Sequence, residues 1–164
     1  MVYGVTLIDN MSTAETAGMI FFANRDLVDD FMEWVKSRYT FINEYHNEKA
    51  EAVGMKNFMF YYTSSPFMLS IAPIACKDYK GQSILYKVIF KDNTDKLLST
   101  DMYTDKTVAE SIANTINNNS DAIICNIEDC VVVDTKESLE GFKKFLITSN
   151  TFQEQWKYYS RIAF

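Results

Sequence analysis

The sequence predicts an α+β fold in which an antiparallel or mixed β-sheet carries about four helices, packed mainly on one of its faces. Two observations predict this class. Segments with period-two alternation and segments with helical periodicity occur at both ends of the chain, and a run of strand-like segments fills the middle. The 164 residues are 48% apolar with only five Gly and two Pro, so we expect one core and a single domain over residues 1–164.

The N-terminal section predicts two strands followed by helices. Alternating apolar residues indicate the first strand, and these are Tyr3, Val5 and Leu7. The sequence AGMIFFA indicates a second, more buried strand. Asn24 is a favourable N-cap, and apolar residues recur at helical spacing after it. We expect a second helix, or a bent continuation of the first, over residues 41–52, with Gly54 as its stop.

The middle section is rich in strand-forming residues. The sequences NFMFYYT and FMLSIAPIAC predict two strands, and Pro73 favours a sheet edge or a bulge for the second of them. The sequences SILYKVIF and KLLSTDMYT flank a polar turn and predict a hairpin. Thr104 or Asp105 then caps a helix whose apolar residues recur every four positions, namely Val108, Ile112 and Ile116.

The C-terminal section predicts another hairpin and two more helices. The sequences AIIC and CVVVD are strand-like and surround NIED, which we expect to form a tight turn. Asp134 or Thr135 caps the next helix. Thr151 and Glu154 have the spacing of a capping box, which predicts a final helix. The residues that this last helix is expected to bury are Phe152, Trp156 and Tyr159.

The two ends of the chain resemble each other when one is displaced by 111 positions, so that Phe31 meets Phe142 and a strand-to-helix boundary coincides. One explanation is a duplication that relates residues 1–53 to residues 121–164 on either side of a strand-rich middle at 55–118. The alternative is chance, because amphipathic helices with aromatic cores resemble each other wherever burial is the constraint. Either explanation predicts aromatic core residues, which are Phe31, Trp34, Phe142, Phe145 and Trp156.

Net charge limits the classes of partner. The chain has a formal charge of −6 at pH 7 and lacks clustered Lys and Arg, so we expect no direct binding to nucleic acid or to anionic membranes. A host protein with a basic surface fits this charge, and the alternative is that mild acidity serves only solubility. No secretory leader is visible, and the odd number of three cysteines predicts reduced thiols and a cytoplasmic location.

The sequence shows no motif for a cofactor or a metal ion. Glycine-rich phosphate loops are absent, His46 is the single histidine, and Cys125 and Cys130 form one loose pair where a zinc site needs two tight pairs. We therefore expect no cofactor, no metal and no catalytic residue. A hairpin at this place would bring Cys125 and Cys130 face to face as a redox disulfide, and the alternative is two buried apolar residues.

Carboxylates offer the raw material of a small enzyme. Asp92 and Asp95 flank one predicted turn, and Glu128 and Asp129 lie in another. Convergence of these groups with Cys125 in one pocket would support carboxylate- or thiol-based chemistry. Charge on a solvent-exposed face is the simpler explanation, so the sequence favours a protein without enzyme activity.

Aromatic residues near the C-terminus favour a protein interface, because Tyr and Trp bury a large area at low entropic cost. The candidate binding residues, acidic and aromatic, are Asp29, Asp30, Glu33, Tyr158, Tyr159, Arg161 and Phe164. Abundant Asn, Lys and Ile point to an A/T-rich genome, such as that of a large lytic phage. We expect a non-enzymatic protein-interaction module, in its most specific form a phage-encoded inhibitor of a host enzyme or defence protein. The alternatives are a self-associating assembly protein, such as a homodimer, and a small enzyme.

Overall fold

The computed structural model describes residues 1–10, 15–62, 65–148 and 151–160. Its strands are β1 (Val2–Asn10), β2 (Glu15–Phe22), β3 (Thr40–Tyr45), β4 (Lys56–Tyr62), β5 (Ser65–Ile74), β6 (Ile84–Asp92), β7 (Leu97–Tyr103) and β8 (Ile123–Val133). Its helices are α1 (Arg25–Arg38), α2 (Glu48–Ala52), α3 (Lys106–Asn119), α4 (Lys136–Leu146) and α5 (Phe152–Ser160). None of these described helices is long and apolar enough to cross a membrane.

The strands form one mixed eight-stranded sheet in the order β3-β4-β5-β1-β2-β8-β6-β7. Every neighbouring pair is antiparallel except β2 and β8, which are parallel. The parallel pair is joined only where Phe21 lies opposite Val132 and Phe22 lies opposite Val133. This short junction connects two well-paired antiparallel groups, and the predicted α+β class with a mixed sheet is confirmed.

The long helices pack on the same face of the sheet. The main core lies beneath α1, α4 and α5 and includes Val133 at the end of β8. Cys125, on the same strand, lies in a smaller core beneath α3. Since successive strand residues point to opposite faces, these two odd-numbered positions share one face. The centre of the other face is covered by the connection at 75–83, through Cys76 and Tyr79. The expected one-sided packing is confirmed.

Helix α1 shows how the sequence sets this packing. The Asn24 side chain accepts a hydrogen bond from the Leu27 amide at 3.0 Å, which begins the helix, and Asp26 in the first turn complements the helix dipole. The residues that α1 buries recur at helical spacing and are Leu27, Val28, Phe31, Met32 and Val35. The N-cap is as predicted, but Trp34, which was expected in the core, is only half-buried, and Val28 and Met32 are buried in addition to the predicted residues.

The helix expected over residues 41–52 is wrong in its first half. Thr40–Tyr45 is strand β3, which pairs antiparallel with β4, and only Glu48–Ala52 is helical. The β-branched and aromatic residues of this stretch suit an edge strand, where Phe41 packs its ring 5.5 Å from that of Phe60. Asn47 then caps the short helix through the Lys49 and Ala50 amides.

The hairpin expected around NIED is also wrong, because Ile123–Val133 is one continuous strand. All nine residues of β6 pair with it without a register shift, and this partner keeps the stretch extended. Cys125 and Cys130 therefore point to opposite faces, about 16 Å apart along the strand. A disulfide needs Cα atoms within about 7 Å, so the two cysteines cannot form one here.

Two smaller expectations need correction. Strand β5 lies inside the sheet rather than at its edge, although Pro73 lies beyond the last β4–β5 pair, Lys56 with Ile71, and is paired only with β1. Helix α3 buries Ala109 and Ala113, whereas Val108 is 44% exposed. The apolar stripe on α3 thus lies one residue further along than the predicted one, because small alanines allow close approach to the sheet.

The displacement of 111 positions has a structural counterpart. Phe21 lies opposite Val132 in the parallel junction, and this is the same displacement. Phe31 and Phe142 have it too, and their ring centroids lie 5.3 Å apart between α1 and α4. Two neighbouring strand–helix units therefore share one burial pattern. Beyond them the ends differ, since strand β3 follows α1 and helix α5 follows α4. Duplication therefore stays a hypothesis, and the alternative is that the same need for burial made the two units similar by chance.

Candidate binding cleft between β2 and β8

The sheet opens into a cleft where β2 and β8 diverge. Beyond the junction at Phe21 and Val132 the two strands separate, and the space between them has a volume of about 400 Å³. The cleft is lined by residues 16–21 of β2, residues 128–131 of β8, Lys87 of β6 and the end of α5. It is a concave site formed by strands from both antiparallel groups.

The β8 edge of this cleft carries free backbone groups. The Asn117 side chain bonds both backbone groups of Cys125, at 2.8 Å to its amide and 3.0 Å to its carbonyl. Val133 accepts from the Ala23 amide at 2.9 Å on the same edge. Since backbone groups alternate between the two edges of a strand, both backbone groups of Asp129 and the amide of Val131 face the cleft, whereas the Val131 carbonyl accepts from the Phe21 amide in the parallel junction. Across the described ranges, no strand pairs with β8 on this edge before Val132.

The β2 edge is occupied, in contrast, by side chains of α5. Trp156 donates its indole N–H to the Gly18 carbonyl at 2.9 Å. Ser160 donates its hydroxyl to the Ala17 carbonyl at 3.1 Å. These bonds attach the end of α5 to the backbone of β2. Within the described ranges the cleft is therefore asymmetric, with α5 side chains on its β2 wall and none on its β8 wall.

The charge of the cleft is negative on both sides of the sheet. Glu128 lies on the face without helices, where its carboxylate is 3.5 Å from the Lys87 ammonium. Asp129 is the next residue, so its side chain points toward the helical face. Two carboxylates against one ammonium give the site an excess of negative charge, in keeping with the net charge of −6.

Cys130 also lines the cleft, but its thiol is not activated. Burial is the main cause that raises the pKa of Cys130 to about 11, and the nearby Glu128 and Asp129 carboxylates add to it. Burial also raises the pKa of Cys76 and of Cys125. A neutral thiol is a weak nucleophile. These environments therefore do not support the thiol-based enzyme that the sequence left open.

Alkylation of Cys130 provides a test. At pH 8 we expect iodoacetamide to label Cys130 at least about tenfold more slowly than it labels N-acetylcysteine, because a raised pKa leaves little thiolate. The rate should rise with pH toward a midpoint near 11. Peptide mapping by mass spectrometry separates Cys130 from the other two cysteines, and labelling in urea controls for accessibility. Fast labelling that is already constant near pH 7 would contradict a half-buried, neutral thiol.

The predicted turn carboxylates serve the β6–β7 hairpin. Asp92 accepts hydrogen bonds from the Thr94 hydroxyl at 2.6 Å and from the amides of Thr94 and Lys96 at 2.9 and 3.0 Å. The Thr94 hydroxyl is the largest cause that lowers the pKa of Asp92. Asp95, at φ 67°, lies 3.2 Å from the Lys91 ammonium. These contacts define a turn rather than a reaction centre.

The four carboxylates considered as enzyme groups do not converge. Asp92 lies opposite Ile123 in the β6–β8 ladder, five positions from Glu128, which corresponds to about 16 Å along the strand. Within the described ranges, no three His, Cys, Asp or Glu side chains form a group that could hold a metal ion. The arrangement thus gives Asp92 and Asp95 a structural role that is separate from the cleft.

The acidic residues predicted on α1 are divided between two surfaces. Asp30 faces α4 and lies 3.3 Å from the largely buried Lys143 ammonium. Asp29 lies 3.8 Å from Arg25 and, with Glu33, lines a second groove of about 460 Å³ between α1 and the outer strands. Basic residues accompany the acids in both places. Asp29, Asp30 and Glu33 therefore do not form one acidic surface, and none of them lines the cleft.

The predicted aromatic residues are separated in the same way. Tyr158 is 65% exposed, away from the cleft. Tyr159 lines the cleft, and its ring packs 4.5 Å from that of Phe142. Burial, followed by the charge of Asp134, raises the pKa of Tyr159. The other two predicted residues, Arg161 and Phe164, lie outside the described residues.

An apolar surface that the sequence analysis missed adjoins the cleft on the face without helices. Met59 pairs with Met68 on β5, which pairs in turn with Ile8 on β1. Tyr61 is 44% exposed, and Met19, which also lines the cleft, is 37% exposed. We call these five residues the methionine patch. Strand alternation predicts that each of these side chains points away from the main core. Whether that face is covered depends on the connection at 75–83, whose sequence has no periodic pattern, so the exposure of the patch could not be predicted.

No protein-family model, curated protein sequence or solved structure matches this chain.

Proposed function

We propose that this chain is a non-enzymatic protein-interaction module that binds its partner through the cleft and the methionine patch. The observation that carries the proposal is that no described strand occupies the β8 wall of a concave cleft, which lies directly beside an apolar surface with Met19 and Tyr61 exposed. Methionine side chains are flexible and polarisable, so they adapt to a partner's surface. Apolar surface beside free backbone groups favours a macromolecular partner, because it offers both burial and hydrogen bonds.

The chemistry of the cleft supports binding rather than catalysis. The Cys130 thiol is neutral, and the nearest carboxylate–ammonium pair, Glu128 with Lys87, is an ordinary exposed ion pair. The excess negative charge favours a partner with a basic surface. In its most specific form, the proposal is that the partner is a host protein and that binding inhibits it. The abundance of Asn, Lys and Ile fits an A/T-rich phage gene and so favours a host protein as the partner.

Affinity capture with a cleft variant tests this proposal. The tagged chain is incubated with bacterial lysate at moderate salt, and bound proteins are identified by mass spectrometry. Met19→Lys places a positive charge at the junction of cleft and patch, and we expect it to reduce capture of the partner at least about tenfold, because a basic partner is repelled and apolar contact is lost. Val108→Lys is the matched control, since Val108 is 44% exposed on α3, away from the cleft.

The two variants separate the outcomes. A dominant partner that is lost with Met19→Lys and kept with Val108→Lys supports the proposal. A partner kept by both variants would move the binding surface elsewhere on the molecule. A chain that captures nothing, but forms a dimer by light scattering that Met19→Lys dissociates, would favour self-association through the methionine patch instead.

A further inference from the structure

We infer that the cleft takes a short extended segment of the partner, added as a strand along the free edge of β8 and carrying Lys or Arg side chains. The inference rests on the proposed function and names the chemistry of its partner. Strand addition uses main-chain hydrogen bonds for affinity and side-chain positions on alternate faces for specificity. Both main-chain groups of Asp129 and the amide of Val131 supply the hydrogen bonds, and residues 128–131 span about 10 Å, which suits a segment of about four residues.

The β8 edge is better suited to strand addition than the two outer edges of the sheet. Strand β3 has a register shift between Phe41 and Asn43, and the β6–β7 ladder has one between Phe90 and Lys91. Such bulges disturb the ladder and protect edge strands from pairing with other chains. The β6–β8 ladder has no shift, so β8 presents regular backbone geometry to the cleft.

The two carboxylates of the cleft offer a partner to a basic side chain on either face of the sheet. An added strand directs successive side chains to opposite faces. Glu128 lies on the face without helices and Asp129 on the helical face. A basic side chain of the added strand therefore meets a carboxylate whichever face it points to. Val131 and the neutral Cys130 accept apolar side chains next to these positions. The expected segment therefore mixes basic and β-branched residues.

Synthetic peptides test the inference on the full chain. The probe is an acetylated, amidated hexapeptide in which Lys and Val alternate, and the matched probe replaces each Lys with Glu. In a titration of ¹⁵N-labelled protein, we expect the Lys–Val peptide to shift the Asp129 and Val131 amides most and to slow their hydrogen exchange. The Glu–Val peptide should leave them unchanged at the same concentration. Two methylated versions of the Lys–Val probe carry the methyl groups on one or the other alternate set of peptide nitrogens, and the version whose methylated set faces β8 should bind at least about tenfold more weakly.

Charge variants of the protein complete the design. Because Glu128 and Asp129 lie on opposite faces, the Lys side chains of an alternating peptide meet only one of them, so one of Glu128→Gln and Asp129→Asn should weaken binding about threefold to tenfold and the other should weaken it less. Asp121→Asn is the matched control, because Asp121 is exposed and lies outside the cleft, and it should bind as the original chain does.

Three results would overturn the inference. Undiminished binding of both methylated peptides would show attraction to the acidic surface without strand addition. No binding by the Lys–Val peptide, while Met19→Lys still abolishes capture of the partner, would reject strand addition and leave the proposed function intact. Binding that appears only when the chain ends at Ser160 would assign the cleft to the chain's own last four residues.

Discussion

Replacement of Trp156 by Ala is expected to lower the free energy of unfolding by about 3–5 kcal/mol, the usual cost of deleting a large buried aromatic side chain. Trp156 is completely buried, and its ring lies within 6 Å of three others: 5.9 Å from Phe31, 5.7 Å from Phe142 and 5.8 Å from Phe152. The contacts join α5 to α1 and α4. A cavity here would therefore weaken the packing of three helices at once.

Urea denaturation, followed by circular dichroism, measures this loss. Trp156→Phe keeps an aromatic ring but removes the N–H that bonds the Gly18 carbonyl, so an intermediate loss of about 1–3 kcal/mol is expected. Tyr158→Ala is the matched control on the same helix, because Tyr158 is 65% exposed, and it should change stability by less than about 0.5 kcal/mol. If Trp156→Ala and Tyr158→Ala had equal effects, Trp156 would not hold α5 on the sheet.

Helices with a strong apolar stripe and a polar cap could be predicted from the sequence. Asn24 and Thr135 cap α1 and α4, and Thr151 accepts from the Glu154 amide at 3.2 Å at the start of α5. Phe142 and Trp156 are buried as expected, whereas Phe145, also expected in the core, is only half-buried. These signals are local, because a cap and a period of 3.6 residues are complete within one element.

Errors occurred where a distant partner decides the local structure. The polar sequence at 126–129 has turn-forming residues, yet β6 keeps it extended, and Lys87 pairs with Glu128 across the two strands. Thr40–Tyr45 has few residues that exclude a helix, yet β4 accepts it as an edge strand. Strand pairing depends on residues far away in sequence, so tertiary contacts override local propensity.

The cleft could not be predicted for the same reason. It exists because β2 and β8 pair over two positions and then diverge. The sequence of neither strand indicates how far it lies from the other. The sequence pointed to Glu128 and Asp129 as candidate enzyme groups in a predicted turn. The structure places both on a continuous strand instead, where they line the cleft. Tyr159 is the one predicted binding residue that the described part of the chain places in the cleft.

Gly18→Ala is the second substitution with a large expected effect, a loss of about 2–4 kcal/mol from backbone strain and overpacking together. Gly18 has φ +118°, a conformation that residues with a Cβ rarely adopt. A Cβ at Gly18 would also lie 2.7 Å from the Ser160 Cβ, with the Ser160 hydroxyl closer still. The substitution should therefore push the end of α5 away from β2.

Gly81→Ala separates strain from overpacking. Gly81 has φ +94°, but a Cβ there meets no atom within 4 Å, so only the strain of about 1–2 kcal/mol is expected. Urea denaturation of both variants gives the difference. Ser160→Gly removes the atoms that clash with a Cβ at position 18. Its effect on the free energy of unfolding should therefore be at least about 0.5 kcal/mol more favourable in the Gly18→Ala variant than in the original chain.

Gly18→Ala also bears on the cleft, because Ser160, which packs against Gly18, donates to the Ala17 carbonyl and so caps the β2 wall. If Gly18→Ala releases α5, the β2 edge gains free backbone groups, and the Lys–Val peptide should then perturb β2 amides such as that of Met19 in addition to those of β8. Equal losses for Gly18→Ala and Gly81→Ala, with no rescue by Ser160→Gly, would show that α5 does not hold this wall. The asymmetry on which strand addition to β8 depends would then have no structural basis.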